Sequence, residues 1–353
     1  MSAGAAVEVG AATLHRLENL TRAKDLDALS TRLGELRRWA LSDLHDVERE
    51  LSAIERRDTP MHGAARHLVS LGGKRLRPLC VALAARAGHG FTPAAKDLAV
   101  AAELVHSATL LHDDVVDLGE RRRGAPTSRV LFGNIASVYA GDWLLIEALG
   151  RIRRAGFDGL LDEALGVLQT MLQAEALQLA SRGSVPDLSR YFAVVEGKTA
   201  SLFRWSLLAG ATAGGLEPTV CASLSRFGQS LGVAFQLIDD VLDVAGEAAL
   251  TGKPLFADLR EGKVTHPVLV AVERDPAFAR WVTDALSHEH RELDSASAAR
   301  VSAALIHTGA LDATRSLASQ RVDEALSCLT VLPDGEARAA LEGVAHMMIE
   351  RVR

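Results

Sequence analysis

The chain has 353 residues, 39 Lys+Arg against 45 Asp+Glu, a formal net charge of -6, 48% hydrophobic residues and only 4% aromatic ones. A half-apolar chain of this length can bury a large core, which excludes a disordered protein and a disulfide-stapled mini-protein. Mild acidity excludes a general nucleic-acid binder, which carries a basic excess, and Cys80, Cys221 and Cys328 lack the spacing of a zinc site or a disulfide framework.

Residues 1–35 are polar and weakly amphipathic, with no basic segment leading into an apolar run, so no secretory signal is expected. They read as an extension in front of one large domain spanning 36–353. Ala, Leu, Glu and Arg recur at helical spacing almost from end to end, while alternating Val/Ile/Thr/Tyr runs are scarce. Gly- and Pro-rich punctuation falls at 58–60, 71–73, 88–90, 123–126, 183–186, 214–218 and 246–262. Between these breaks the pattern predicts long helices, among them Pro93–Leu111, Ser128–Arg154, Leu188–Ala213 and Pro218–Val244. Apolar helices of that length pack together, so the fold is read as all-α, a single-domain helical bundle. The most apolar run, Trp205–Leu216, falls short of the roughly 18 residues of a bilayer span. A cytoplasmic protein is therefore expected.

The sharpest feature is a pair of aspartate clusters. The first is Leu111-His112-Asp113-Asp114-Val115-Val116-Asp117; the second, Leu237-Ile238-Asp239-Asp240-Val241-Leu242-Asp243, begins 126 residues later. In each, the outer aspartates stand at i and i+4 on one helix face. Each also closes a markedly apolar helix, where three carboxylates are costly unless cations offset them. Mg²⁺ suits such a site, because it takes a few Asp oxygens and completes its octahedron with water and phosphate oxygens. The alternative is a solvated helix end, which two such clusters in apolar sequence disfavour. Basic runs recur beside them: Gly72-Gly73-Lys74-Arg75-Leu76-Arg77-Pro78, Arg121-Arg122-Arg123-Gly124, Gly197-Lys198-Thr199, Gly252-Lys253-Pro254 and Arg260-Glu261-Gly262-Lys263. Arg forks and Lys point charges next to Mg²⁺ are what a diphosphate requires.

The segments LGGKRLRP, LLHDDVVD followed by RRGAPT, GN(x6)GDWLL, EGKTASLF, FQLIDDVLD and DLREGKVTHP occur in one chain and in order. Together they resemble the trans-type polyprenyl diphosphate synthases, over roughly residues 45–353. The resemblance implies an isoprenoid-synthase bundle around a central cavity, working as a homodimer. It implies an enzyme that joins isopentenyl diphosphate to an allylic diphosphate with Mg²⁺. Asp113, Asp114, Asp117, Asp239, Asp240 and Asp243 are then the metal-binding positions, and the first five with Lys198 the catalytic ones. Arg122, Lys198, Thr199, Gln236, Lys253 and Lys263 match groups at the allylic diphosphate, and Lys74, Arg77, His106 and Arg123 match the isopentenyl diphosphate site. The chemistry implied is ionisation of the allylic C–O bond, attack by the isopentenyl double bond and loss of a proton, with the departing diphosphate stabilised electrostatically.

Product length has a handle as well. Ala108 and Thr109 precede Asp113 by about 6–7.5 Å along the helix, and Val105 lies further along. In short-product relatives a large aromatic tends to block this level, so small residues here imply an open tunnel. The expectation is a medium- or long-chain product, with geranylgeranyl diphosphate as the alternative. The long product suggests no more than transient membrane contact on release.

Two departures from the family pattern stand out. Phe256 is bulky where a glycine-containing loop is usual, which suggests an altered lid, and His266 occupies a position where an apolar residue is common. Rival readings are weaker. A class I terpene cyclase carries a different second metal motif, a regulatory subunit has degraded aspartates, and a di-iron bundle needs two Glu-x-x-His pairs where only Glu103-x-x-His106 is found. Rossmann and P-loop glycine signatures are absent.

Overall fold

A computed structural model describes residues 41–54, 57–245, 255–287 and 294–350. The extension expected over 1–35, and Lys253, lie outside the described residues. The chain forms two compact units. One draws on Met1–Ala164, Trp205–Ser225 and Leu329–Val344, the other on Leu165–Arg204, Arg226–Cys328 and Ala345–Arg353. The all-α reading holds: the only strands among the described residues are the two-residue pairs β1 (Arg121–Arg122) and β2 (Ala125–Pro126).

In the first unit, helix α1 (41–52) buries Leu44, Val47 and Leu51, the i, i+3, i+7 stripe of one helix face. Its Asp43 takes both arms of Arg86, at 2.5 and 2.8 Å, from α3 (Leu76–Arg86). Helices α2 (Pro60–Ser70) and α4 (Pro93–Val116) begin alike. Thr59 and Thr92 accept hydrogen bonds from His62 N and Ala95 N, and a proline follows each at the first helical position. The buried side of α4 is mostly Ala, Leu and Val, including Ala101, Ala102, Val105 and Ala108. That small-residue face packs on the longest neighbour in this unit, α6 (Asn134–Ala155), and Ser137 Oγ donates to Leu111 O across the contact at 3.1 Å.

The predicted helix Ser128–Arg154 is broken: α5 covers Ser128–Phe132 and α6 starts at Asn134. Gly133 separates them at φ 87°, ψ 160°, a conformation that only glycine adopts freely. Helix α7 (Leu160–Ser181) follows, and after the stretch around residues 188–200 comes α9 (Ser201–Ala213). The part of α9 in the first unit lies close to α3. A Cβ on Gly210 would stand 2.2 Å from Val81 O and 2.9 Å from the Ala84 methyl. Gly210→Val is therefore expected to cost about 1–3 kcal/mol through overpacking, read as a lower midpoint in urea unfolding.

The second unit is built around the part of α10 from Arg226 onward; the whole helix, Pro218–Ala245, matches the predicted Pro218–Val244 closely, and the short α11 (Ala257–Arg260) comes after it. Leu237, Ile238 and Val244 of α10 pack with Val268 to Ala271 of α12 (His266–Arg274) and with Phe278 and Val282 of α13 (Pro276–Ser287). Helices α14 (Ser295–His307) and α15 (Ala310–Cys328) close this core with Val301, Leu305, Ala310 and Ala318. The predicted helix Leu188–Ala213 is also not uniform. It runs as α8 (Leu188–Val195), a π-helical turn over Glu196–Ala200, then α9.

Candidate active site

The first aspartate motif occupies the last turn of α4. Asp114 is 3% exposed, and Arg122 forks onto its carboxylate, with Nε 3.0 Å and Nη2 2.8 Å from Oδ1. The return of the chain explains that reach. Gly119 N bonds back to Asp114 O, and β1 pairs antiparallel with β2. The two residues between the strands, Arg123 and Gly124, both have positive φ (53° and 80°), the mark of a tight type I′ hairpin. Asp113 and Asp117, by contrast, are half-buried and share a face one turn apart.

The same unit gathers the basic residues matched to the second diphosphate. Arg123 Nη2 lies 2.9 Å from where a Cβ on Gly73 would stand, so the hairpin tip rests against the Gly72-Gly73-Lys74 loop. Arg77 is buried, and Lys74 is exposed. Burial, with the charges of Arg77, Arg123, Arg122 and Arg75 added, holds His106 well below the usual histidine range. His106 is therefore neutral at pH 7. Three sequence-predicted residues, Arg77, His106 and Arg123, thus sit in one cationic neighbourhood, with Lys74 next to the Gly73 that Arg123 touches and the chain-length candidates Val105, Ala108 and Thr109 on the same helix as His106.

The second motif repeats the first by a different chemistry. Asp239 and Asp243 are half-buried, while Asp240 is 2% exposed. Its Oδ2 accepts from Tyr191 Oη (2.6 Å) and His266 N (2.9 Å), and its Oδ1 accepts from Gln236 Nε2 (2.9 Å). Burial pushes the Asp240 carboxyl up to about 7 even though the three donors pull it down. Burial and the Asp240 charge keep the Tyr191 hydroxyl far above its ordinary value, so it remains a donor. Thr199 extends the chain by donating to Gln236 Oε1 at 2.9 Å.

Thr199 and Lys198 lie on the π turn. Gly197 lets that turn approach α7 closely, since a Cβ there would be 2.7 Å from the Ala174 methyl and 3.2 Å from Thr170 O. Lys198 then meets Glu175 at 2.6 Å and Gln178 at 3.1 Å. Lys263 pairs with Glu261 at 2.7 Å, and its backbone N–H bonds Asp258 O. Asp258 N in turn donates to Asp243 Oδ1. Phe256, the bulky residue expected to alter the lid, faces inward. It is 2% exposed in the core of the second unit, its φ is 60°, and its N–H bonds Asp243 O at 2.8 Å. The bulky residue therefore anchors the segment that returns to Asp243.

Residues 58–303 match the Polyprenyl synthetase family. The chain belongs to that family. Polyprenyl synthetases similar to it include the octaprenyl diphosphate synthase of Escherichia coli (strain K12), 37% identical over 291 residues, 81% of this chain and 88% of that protein. The heptaprenyl diphosphate synthase component 2 of Geobacillus stearothermophilus is 36% identical over 305 residues, 86% of this chain and 94% of its own. Among solved structures, the polyprenyl synthase from Caulobacter crescentus CB15, complexed with calcium and isoprenyl diphosphate, matches with a TM-score of 0.85 at 34% identity. That match covers 90% of this chain and 97% of the other. This polyprenyl synthetase is thus a trans-prenyltransferase with the all-α fold of its structural relatives.

Several residues that shape the site were given no role by the sequence, although His266 and Arg75 lie inside its motif segments. Tyr191 and His266 hold Asp240, and His266 Nδ1 lies 2.8 Å from Thr314 Oγ1 while its ring packs against Tyr191 and Phe192. Burial brings His266 down to about 4, so the polyprenyl synthetase carries it neutral. Its position is explained by that polar contact. Arg75, Glu48 and Glu103 form a buried ion triad near Arg77. Glu103 carried a readable signal too: a carboxylate inside the apolar run from Leu98 to Ala108 needs a cation.

Proposed function

We propose that this polyprenyl synthetase joins isopentenyl diphosphate head-to-tail to an allylic diphosphate with Mg²⁺ and releases a medium- or long-chain polyprenyl diphosphate. One observation carries the reading. At both motifs the middle aspartate is buried and held by its neighbours' donors, and the outer two are half-buried on one face. Among the described residues no three Asp, Glu, His or Cys side chains form a ready-made cation cage. Pairs of carboxylates one turn apart fit an ion that takes its other ligands from water and substrate phosphate.

Asp113 and Asp117, and separately Asp239 and Asp243, hold the ion, and Asp114 and Asp240 anchor the two helix ends. Mg²⁺ supplies positive charge that offsets the diphosphate as it leaves. Arg122, Lys198, Thr199, Gln236, Lys253 and Lys263 grip the allylic diphosphate. Lys198 already meets Glu175, so the incoming phosphate competes for a charge the protein holds in place. Lys74, Arg77 and Arg123 bind the diphosphate of the second substrate, where a neutral His106 offers a hydrogen bond without adding repulsion. Residues 36–353 act as one catalytic domain, with 1–35 as an appendage.

Ala108 and Thr109 leave room for the growing chain, and relatives named for octaprenyl and heptaprenyl products support that length. Ala108→Phe or Thr109→Phe is expected to shift the main product to twenty carbons or fewer. An unchanged ladder from a folded variant would place the stop elsewhere. The protein acts in the cytoplasm as a homodimer and touches membrane only to release product. Ile135, Tyr139 and Ile146 are exposed on one side of α6, an apolar stripe suited to a second copy. No described helix is long and apolar enough to cross a membrane.

The deciding experiment incubates the purified chain with Mg²⁺, labelled isopentenyl diphosphate and, separately, dimethylallyl, geranyl, farnesyl or geranylgeranyl diphosphate. A ladder ending beyond twenty carbons is expected; a sharp stop at twenty carbons would give the geranylgeranyl reading. A second reading comes from the words "component 2" in one relative's name: no elongation from any starter would mean that the chain needs a partner subunit.

A further inference from the structure

We infer that Arg75 is a positioning residue, a buried fork between Glu48 and Glu103 that sets where Lys74 and Arg77 present their charges to isopentenyl diphosphate. The inference rests on the isopentenyl diphosphate site proposed above.

Arg75 stands between those two cations in sequence, yet its guanidinium is taken up by Glu48 and Glu103. It is 3% exposed. Nε donates to Glu48 Oε1 at 2.6 Å, Nη1 to Glu103 Oε1 at 2.5 Å, and Nη2 to Glu48 Oε2 at 3.3 Å and Val69 O at 3.2 Å. The fork therefore ties α1, the end of α2 and α4 to one point. Its backbone is left-handed, φ 49° and ψ 32°, at the N-terminal boundary of α3. A non-glycine residue keeps that conformation only where its surroundings impose it. Burial opposes the charge on Arg75, but Glu103 and Glu48 more than offset it and hold the guanidinium above its ordinary range.

The geometry explains how a distant anchor reaches the substrate. A left-handed residue turns the chain sharply, so Lys74 on one side stays exposed while Arg77, the second residue of α3, is carried toward His106 and Arg123. Glu103 lies three residues before His106, on the same side of α4. One ion triad thus fixes the loop and the α4 face relative to each other. Lysine cannot reproduce it, because an ammonium is a point charge and two carboxylates need a fork.

Full-length Glu48→Gln, Glu103→Gln, Arg75→Lys and Arg77→Ala variants would be compared with the parent in Mg²⁺. Each diphosphate would be varied while the other is held saturating. The glutamine variants keep the side-chain volume, so they remain informative if Arg75→Lys folds poorly. The expected result is a KM for isopentenyl diphosphate raised about tenfold or more in the Glu48, Glu103 and Arg75 variants, since small misplacements of binding groups are costly. The KM for the allylic substrate should stay within about twofold. Equal rises in both constants, or lower thermal midpoints with neither constant changed, would overturn the positioning role. If Arg77→Ala raises KM for isopentenyl diphosphate and the glutamine variants do not, Arg75 is a structural anchor only. If Arg77→Ala leaves that KM unchanged, the site assignment itself fails and the inference with it.

Discussion

Asp113→Ala or Asp239→Ala is expected to lower prenyl transfer by about 10²- to 10³-fold or more while leaving the thermal midpoint nearly unchanged. The first half of that statement comes from chemistry. Ionising an allylic diphosphate places negative charge on the leaving group, and removing one element of the apparatus that offsets such charge typically costs about 10²–10³ in rate. The second half comes from burial. Both residues are half-buried, Asp113 in the last turn of α4 and Asp239 six residues before the end of α10, and substitutions away from a packed core change stability by roughly half a kcal/mol. The middle aspartates should behave in the opposite order. Asp240→Ala strands the Tyr191 hydroxyl, the His266 N–H and the Gln236 amide in a closed core, so its midpoint should fall clearly. Chromatography of labelled products and thermal melts on the same preparations test both halves. If Asp113→Ala loses its fold, or keeps full activity, the assignment of outer aspartates to the metal is wrong.

Arg75→Met is expected to cost about 3–5 kcal/mol of stability. Removing one partner of a buried ion pair leaves an uncompensated charge behind, and here two carboxylates, Glu48 and Glu103, would be left. With total stabilities of roughly 5–15 kcal/mol, a loss of that size is easily seen in urea unfolding. A triple variant with Glu48→Gln and Glu103→Gln added should recover much of it, because the orphaned charges are gone. Failure of the triple to recover would mean that Arg75 contributes through packing and backbone geometry, not charge.

Much of this was legible in the sequence because it depended on local spacing. The i, i+4 aspartates need only a helix to share a face, and the apolar runs before them supply the helix. The capped, proline-led starts of α2 and α4 are equally local. What escaped reading depended on contacts far along the chain. Gly133 and Gly197 look like any glycine inside a helical pattern, yet one breaks a helix through its φ and the other admits a neighbouring helix. Tyr191 and Asp240 are 49 residues apart, and no periodicity announces a hydroxyl that will meet a carboxylate at that range. The size of Phe256 suggests an altered lid, but only the fold shows that a left-handed backbone and a bond to Asp243 O bring the ring into the core. Arg75 sits in a run of cations that looks solvated as a whole; only the fold separates the exposed Lys74 from its buried neighbour.

The π turn over Glu196–Ala200 has a consequence for how this gene can change. A π turn holds one more residue than the α-helical turn it replaces. Losing a single codon there would therefore be absorbed as regular helix, with no loop to signal the damage. The helix beyond the deletion would keep its facing, because the widened turn is what absorbs the extra residue, and the damage would stay within the turn itself. Thr199 would leave Gln236, and a larger side chain would arrive where Gly197 now meets Ala174. Codon loss at this spot is thus closed to gradual evolution, whereas nearby surface turns tolerate it. An insertion of this kind, once fixed by descent, acts as a ratchet, and the extra residue should persist in lineages whose surrounding sequence has drifted widely.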